Sequence, residues 1–331
     1  MNAVPAPPLV EARGLTKRYP VRTRTGKRVL TAVDGVDLTV GAGRIVAVVG
    51  ESGCGKSTTG RLLLALERPS EGTVTVAGRD LNRLSAADLR RVRRDIQPVF
   101  QDPYDSLNGR MRIGQILSEP ARVHGIGPSK ARSVRDLLDL VNLSPDYAER
   151  YPHELSGGQR QRVAIARAIA LDPKFVVCDE AVSALDVSVQ AQVVNLLSRL
   201  QRELGLAYLF ISHDLALVRY LAHETAVMYL GKVVEQGPTE SLFADPRHPY
   251  TQLLLAAVPR PRAGDRGRRA VPAIGIGELP SPLERPAGCV FSTRCPLAAD
   301  RCRTEEPVLR PVGGGTRTAA CHYAETADVA A

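Results

Sequence analysis

One stretch limits what this chain can fold into more than any other. Gly50-Glu51-Ser52-Gly53-Cys54-Gly55-Lys56-Ser57-Thr58 follows the apolar run Ile45-Val46-Ala47-Val48-Val49 and precedes the apolar Leu62-Leu63-Leu64-Ala65-Leu66. A buried strand, a glycine loop and a helix start in that order form a phosphate cradle of the pattern G-x-x-x-x-G-K-[ST]. Glycines let the backbone take φ > 0 and let N–H groups close on phosphate oxygens. The helix N-terminus adds about half a positive charge at the same place. Lys56 then reaches the β- and γ-phosphates, and the Ser57 hydroxyl binds Mg²⁺. An α/β fold with a parallel sheet is implied.

Further along, other short segments suit the same chemistry. Val99-Phe100-Gln101-Asp102-Pro103 ends an apolar stretch on a glutamine. Leu155-Ser156-Gly157-Gly158-Gln159 opens a helix, and two glycines there let backbone N–H groups face an anion. Phe175-Val176-Val177-Cys178-Asp179-Glu180 reads as a buried strand ending in two carboxylates. Asp179 is placed to hold Mg²⁺ and Glu180 to polarise an attacking water. Tyr208-Leu209-Phe210-Ile211 is another buried strand, ending at Ser212-His213-Asp214, where His213 can touch a γ-phosphate. Tyr19, ahead of the polar loop 22–28, is either a base-stacking aromatic or an ordinary half-buried strand residue.

The rest of the chain supplies the frame. Residues 9–49 read as strands and turns, and 71–78 as a strand bounded by glycines. Ser85 caps a helix through Leu89 and Val92. Apolar residues at helical spacing (Ile113, Ile116 and Leu117; then Val134, Leu137, Leu138 and Val141) mark two helices, separated by Pro120, Gly125, Gly127 and Pro128. A Pro/Gly/Arg stretch over 259–269 reads as a linker.

Composition restricts the class of partner. The net charge is +9, but basic and acidic residues are interspersed, as on a solvated surface. With no tryptophan and 4% aromatics, a stacking platform for single-stranded nucleic acid is not supported. No apolar run approaches the ~20 residues of a membrane span, and residues 1–8 lack the form of a secretory signal. A cytosolic chain is expected, with its six cysteines free of stable disulfides. Cys54 and Cys178 read as small packing residues. Cys289, Cys295, Cys302 and Cys321, with five, six and eighteen residues between them, read as a metal or cluster site. Their spacing is not that of a paired zinc knuckle and leaves zinc and iron–sulfur both open.

Taken together, the series resembles the ATP-binding subunit of an ABC transporter over residues 9 to about 240. Gly50–Thr58 resembles Walker A, Gln101 the Q-loop glutamine, and Leu155–Gln159 the Leu-Ser-Gly-Gly-Gln signature. Val176–Glu180 resembles Walker B with its catalytic glutamate, Ser183–Asp186 the D-loop, His213 the switch histidine and Tyr19 the adenine-stacking aromatic. Arg247-His248-Pro249-Tyr250-Thr251, the run 101–108 and the cysteine-bearing tail resemble the oligopeptide/dipeptide importer ATPases. The chain departs from the family at Ala181, where proline usually follows the glutamate, and at Gly109, where proline usually follows Asn108.

The resemblance implies a P-loop NTPase (RecA-like) core with an antiparallel β subdomain and an α-helical signature subdomain near 86–160. These make a nucleotide-binding domain over 1–258, with a linker and a small cysteine-containing C-terminal extension over 259–331. It implies ATP and Mg²⁺ as ligands. Lys56, Gln101, Glu180 and His213 are the catalytic set. Tyr19, Gly50, Ser52, Gly53, Cys54, Gly55, Lys56, Ser57, Thr58, Ser156, Gly157, Gly158 and Gln159 contact nucleotide. Ser57, Gln101 and Asp179 serve Mg²⁺. In that subfamily tail cysteines can ligate a 4Fe-4S cluster, which assigns one to Cys289, Cys295, Cys302 and Cys321.

The implied partners are a second ATPase subunit, arranged head to tail, two membrane permeases and an extracytoplasmic solute-binding protein. The implied location is peripheral, on the cytoplasmic face of the membrane. The implied work is ATP hydrolysis that powers oligopeptide or dipeptide import, with nickel or another small solute as alternative cargo. A nucleic-acid-linked ATPase is the rival class. It needs a long coiled coil or zinc-bearing insertion between phosphate loop and signature, and neither is visible, so no nucleic-acid partner is expected.

Overall fold

The fold is seen in a computed structural model that describes residues 7–23, 26–102, 106–257, 280–281 and 283–326. The 259–269 stretch and Pro103, Tyr104 and Asp105 of the 101–108 run lie outside them.

Two sheets carry the chain. The smaller is antiparallel, in the order β2-β1-β4-β5. It is built from β1 (Val10–Thr23), β2 (Gly26–Val40), β4 (Glu71–Val76) and β5 (Arg79–Asp80). The hairpin of β1 and β2 is longer than the alternation predicts. Arg22 pairs with Lys27 and Thr23 with Gly26, so most of the expected polar loop is strand. Ladder pairing satisfies the backbone there while the charged side chains stay in water.

The larger sheet has eight strands, in the order β11-β12-β10-β9-β3-β8-β7-β6. Here β3 is Ile45–Val49, β6 Ile96–Val99, β7 Phe175–Asp179 and β8 Ala207–Ile211. The remaining strands are β9 (Glu224–Tyr229), β10 (Lys232–Pro238), β11 (Arg310–Pro311) and β12 (Thr318–Ala319). Strands β9, β3, β8, β7 and β6 are mutually parallel. Parallel strands covered on both faces need unbroken apolar runs, and every residue of β3 and β8 is buried. Along β3 the side chains alternate between two cores. Ile45, Ala47 and Val49 face one, while Val46 and Val48 face the other, which the small sheet covers.

Helices follow in order: α1 (Lys56–Leu63), α2 (Ala86–Asp95), α3 (Ile113–Val123), α4 (Val134–Leu140) and α5 (Gly157–Ile169). Then come α6 (Val187–Leu204), α7 (Leu215–Leu221), α8 (Thr239–Ala244), α9 (Pro249–Ala256) and α10 (Asp300–Thr304). Ser85 caps α2 by accepting from the Asp88 N–H at 3.1 Å. Ile113, Ile116 and Leu117 on α3 and Leu137 and Leu138 on α4 are buried in one cluster, as their spacing predicts. Pro120 does not separate the two helices. It sits inside α3, which runs one more turn and closes with the His124 N–H on the Pro120 carbonyl at 3.1 Å.

The C-terminal extension is part of this sheet. Its β12 pairs with β10, Glu235 opposite Ala319 and Gln236 opposite Thr318, so it extends the core sheet beyond β10.

Candidate functional site

The segments singled out above meet because of strand order. The phosphate loop follows β3, His213 follows β8, Asp179 ends β7 and Gln101 lies just past β6. Strands β3, β8, β7 and β6 are neighbours in that order and parallel, so all four groups sit at one carboxyl edge. Crevices at that edge are where open α/β sheets bind ligands.

The loop itself is closely fitted. Gly50 has φ 151° and Gly55 φ 103°. A Cβ on Gly50 would stand 2.2 Å from the Met228 carbonyl oxygen, and one on Gly55 would stand 2.2 Å from that of Ala32. Only glycine fits either place. Ser52 and Gly53 are exposed at the crest, and Cys54 is buried beneath it. The buried Lys56 ammonium donates to the carbonyls of Gly50 at 2.8 Å and Glu51 at 2.9 Å. It is thus held within the loop as a fixed positive charge.

Ser57 Oγ donates to Asp179 Oδ1 at 2.9 Å. Burial pushes the Asp179 carboxyl above its usual range and Glu180 adds to this, while Ser57, Arg61 and Lys56 oppose it. A hydroxyl and a half-buried carboxylate side by side, next to a phosphate cradle, are the oxygen donors that a hard cation takes. Ser57 and Asp179 therefore fit Mg²⁺.

Glu180 stands beside them in the left-handed region, at φ 48°. Its N–H donates to the Ile211 carbonyl at 3.0 Å. Its carboxylate Oε2 accepts from Gln101 Nε2 at 3.1 Å and lies 3.7 Å from His213 Nδ1. Three residues from three different strand ends thus share one oxygen. Ala181, the first departure noted above, is buried directly behind. A cavity of about 660 Å³ opens here, lined by Gly50, Glu51, Glu180, Ser183 and His213 among others.

The signature is placed elsewhere. Ser156 caps α5 by accepting from the Gln159 N–H at 3.3 Å, and the Gln159 side chain accepts from the Ser156 N–H at 2.9 Å. Gly157 packs near Leu185, and a Cβ on Gly158 would stand 2.4 Å from Val189 Cγ1 on α6. None of 156–159 lines the large cavity. Tyr19 is half-buried on β1, with its hydroxyl donating to the Glu67 carboxylate and the Lys17 ammonium 5.1 Å from its ring centre. Burial and Glu67 push its phenol up to about 12. Thr58 on α1 is its neighbour.

The tail corrects one expectation. Cys289, Cys295, Cys302 and Cys321 do line a common cavity, of about 10 Å³, with His248 and Phe291. Among the described residues, however, no group of three or more His, Cys, Asp or Glu side chains is arranged to hold a metal ion. Cys289, Cys302 and Cys321 are buried and Cys295 is half-buried. The 4Fe-4S assignment is therefore withdrawn; these thiols pack as small apolar groups. All six cysteines are free thiols.

Two residues beside the phosphate loop were not among the expected site residues. Tyr250 Oη accepts from the Glu51 N–H at 2.9 Å, and Arg294 Nη1 donates to Glu51 Oε2 at 2.8 Å. Tyr250 lies in the 247–251 run already noted. Arg294 is an unmarked arginine between two cysteines.

Comparison with known proteins gives the family. The ABC transporter family model matches residues 33–183, and the oligopeptide/dipeptide transporter C-terminal region matches 234–302. A probable peptide ABC transporter ATP-binding protein of Sinorhizobium fredii is 52% identical over 95% of this chain and 89% of its own length. The chain belongs to the ATP-binding proteins of ABC transporters. A putative peptide import ATP-binding protein of Brucella ovis is 50% identical over 93% of this ABC protein and 96% of its own length.

Among solved structures, an ATP-binding cassette in a dimeric post-hydrolysis state with ADP and Pi is 29% identical. It has a TM-score of 0.62 and covers 70% of this chain and 98% of its own. The cbiO1 cassette of Clostridium perfringens, part of the cbiONQ ABC transporter complex, is 26% identical, with a TM-score of 0.63 over 72% and 91%. As an ABC ATPase the chain is an ATP hydrolase that works with membrane permeases. No helix among the described residues is long and apolar enough to cross a membrane itself.

Proposed function

We propose that this chain hydrolyses ATP to power import of oligopeptides or dipeptides. It would sit peripherally on the cytoplasmic face of the membrane, beneath two permeases served by a solute-binding protein. The observation that carries the cargo assignment is the C-terminal region of the oligopeptide/dipeptide transporter type over 234–302. Relatives of 50–52% identity named for peptide transport support it.

Each residue's role follows from its place. Lys56 sits in the loop as a fixed positive charge and stabilises negative charge on the transferred phosphoryl group. Ser57 and Asp179 hold Mg²⁺, which when bound supplies further positive charge to the phosphates. Glu180 orients the attacking water. Gln101 and His213, converging on its Oε2, hold that carboxylate on the cavity side. Because Gln101 lies at the exposed strand end, movement of the permease contact reaches Glu180 through one hydrogen bond.

The signature loop completes a site on a second subunit, most simply a homologous one, arranged head to tail. That reading is supported by the capped, outward α5 terminus and by the absence of 156–159 from the cavity beside the protein's own phosphate loop. Tyr19 stands at the edge of the same loop to meet the adenine.

The experiment is reconstitution of the chain with its permeases and binding protein in proteoliposomes. Di- or oligopeptide should stimulate ATPase activity and accumulate inside. Stimulation by nickel or another small solute alone would overturn the cargo assignment.

A further inference from the structure

The phosphate loop carries a negative charge of its own. Glu51 is the first residue after Gly50, and its carboxylate borders the same cavity as Glu180 and His213. A carboxylate on the phosphate loop would repel a triphosphate bound there, and a partly enclosed site screens that repulsion weakly.

The structure offsets the charge from the far end of the chain. Arg294 Nη1 donates to Glu51 Oε2 at 2.8 Å, in a pair whose side chains are 15% and 27% exposed. The arginine is held in place by its surroundings. Phe291, three residues earlier, is buried and packs its ring 5.2 Å from Tyr229 and 5.4 Å from Tyr250. The Arg294 N–H closes a turn on the Phe291 carbonyl at 3.0 Å. The Arg294 guanidinium also lies 5.9 Å from the Tyr229 ring centre. Tyr250, in the same aromatic group, holds the Glu51 backbone N–H. The loop's first variable residue is therefore gripped at two points, by Tyr250 of α9 and by Arg294 of the C-terminal extension.

We propose that Arg294 is a positioning residue for ATP: it neutralises and orients Glu51, so the C-terminal extension sets the affinity of the phosphate loop. The proposal rests on nucleotide occupying that loop, and the test separates the two.

The test is titration of the full-length protein with mant-ATP. Wild-type binding that is lost in Lys56→Ala establishes the loop as the nucleotide site. Against that reference Arg294→Gln should weaken binding about tenfold, the size of a charge-assisted hydrogen bond between partly buried groups. Arg294→Lys should retain most of the affinity, and the loss in Arg294→Gln should grow at low ionic strength. Glu51→Gln should bind at least as tightly as wild type. The double variant Arg294→Gln/Glu51→Gln should return to within about twofold of it, because the charge to be offset is gone.

In the assembled transporter, Arg294→Gln should raise KM for ATP with kcat little changed. A double variant as weak as Arg294→Gln alone would overturn the proposal, since the arginine would then act by another route. So would an Arg294→Gln affinity equal to wild type. Should Arg294→Gln not accumulate as folded protein, Glu51→Gln decides alone, and weaker binding in it counts against the proposal.

Discussion

At the scale of single residues, the site depends on a few atoms in unusual positions. Glu180 adopts φ 48° without being glycine, a conformation that costs about 1 kcal/mol or more and persists only when surroundings impose it. Its N–H on Ile211 and the hydrogen bond from Gln101 to Oε2 hold it here. Glu180→Gln should therefore keep nucleotide binding while turnover falls by about 10²-fold or more, as loss of a general base does. Measured ATPase activity near wild type would remove Glu180 from that role. The residue types were legible in sequence because phosphate chemistry allows few alternatives at each place. The shared oxygen was not, since three residues from three strand ends meet only in space.

The histidine in the 247–251 run is a second residue of this kind. His248 is buried, its Nδ1 accepts from the Tyr250 N–H at 3.1 Å, and burial pushes its pKa down to about 3. Unfolded, the same ring titrates near 6.5. Between those values the unfolded chain binds the extra proton. Its contribution to stability is thus intact above about pH 6.5 and is lost as pH falls, by up to about 1.4 kcal/mol per pH unit. Glu235, whose carboxylate accepts from the His248 backbone N–H, is pushed above its usual range by burial, so it holds a proton more readily folded than unfolded and opposes the histidine's slope as pH falls. Denaturant melts from pH 7 to 5 should show stability falling, with a flatter slope in His248→Gln; equal slopes would contradict the assignment.

At the scale of elements, the signature helix shows how tightly function and packing are joined. The start of α5 is closed by reciprocal bonds between Ser156 and Gln159, and its glycines let α6 approach. The neighbour at Gly158 is Val189, a β-branched side chain with little rotamer freedom. Gly158→Ala should therefore cost about 1–3 kcal/mol of stability through overpacking. The same variant should depress ATPase activity only where two subunits meet. A melting temperature unchanged in Gly158→Ala would show that α6 gives way. The sequence motif marked a helix start able to face an anion. That α6 is the wall behind it came only from the packing.

At the scale of the whole molecule, the extension is built into the ATPase. Strand β12 continues the core sheet, Arg285 donates to Asp34 at 2.8 Å, and Lys232 bridges Asp34 and Glu306 at 2.8 and 2.7 Å. Arg285 also donates to the Leu230 carbonyl, and the next residue's N–H holds the Cys54 carbonyl of the phosphate loop at 2.8 Å. A tail tied at several points to the turn behind the phosphate loop stiffens that loop, and Arg294 is the tie that reaches the loop's own side chain.

The local chemistry was determined by sequence alone. A strand–glycine loop–helix, two carboxylates at a strand end and a Gly-Gly helix start each follow from neighbours in the chain, and it is their series that pointed to a nucleotide. What the tail cysteines do was decided by tertiary structure. Their spacing is compatible with a cluster or with packing, and among the described residues the side chains form no ligand-holding arrangement, which leaves packing. The link from Arg294 to Glu51 was likewise decided there. The two residues are 243 positions apart, and the aromatic packing of Phe291 on Tyr229 and Tyr250, with the strand and ion pairs that tie the tail to the core, brings one to the other.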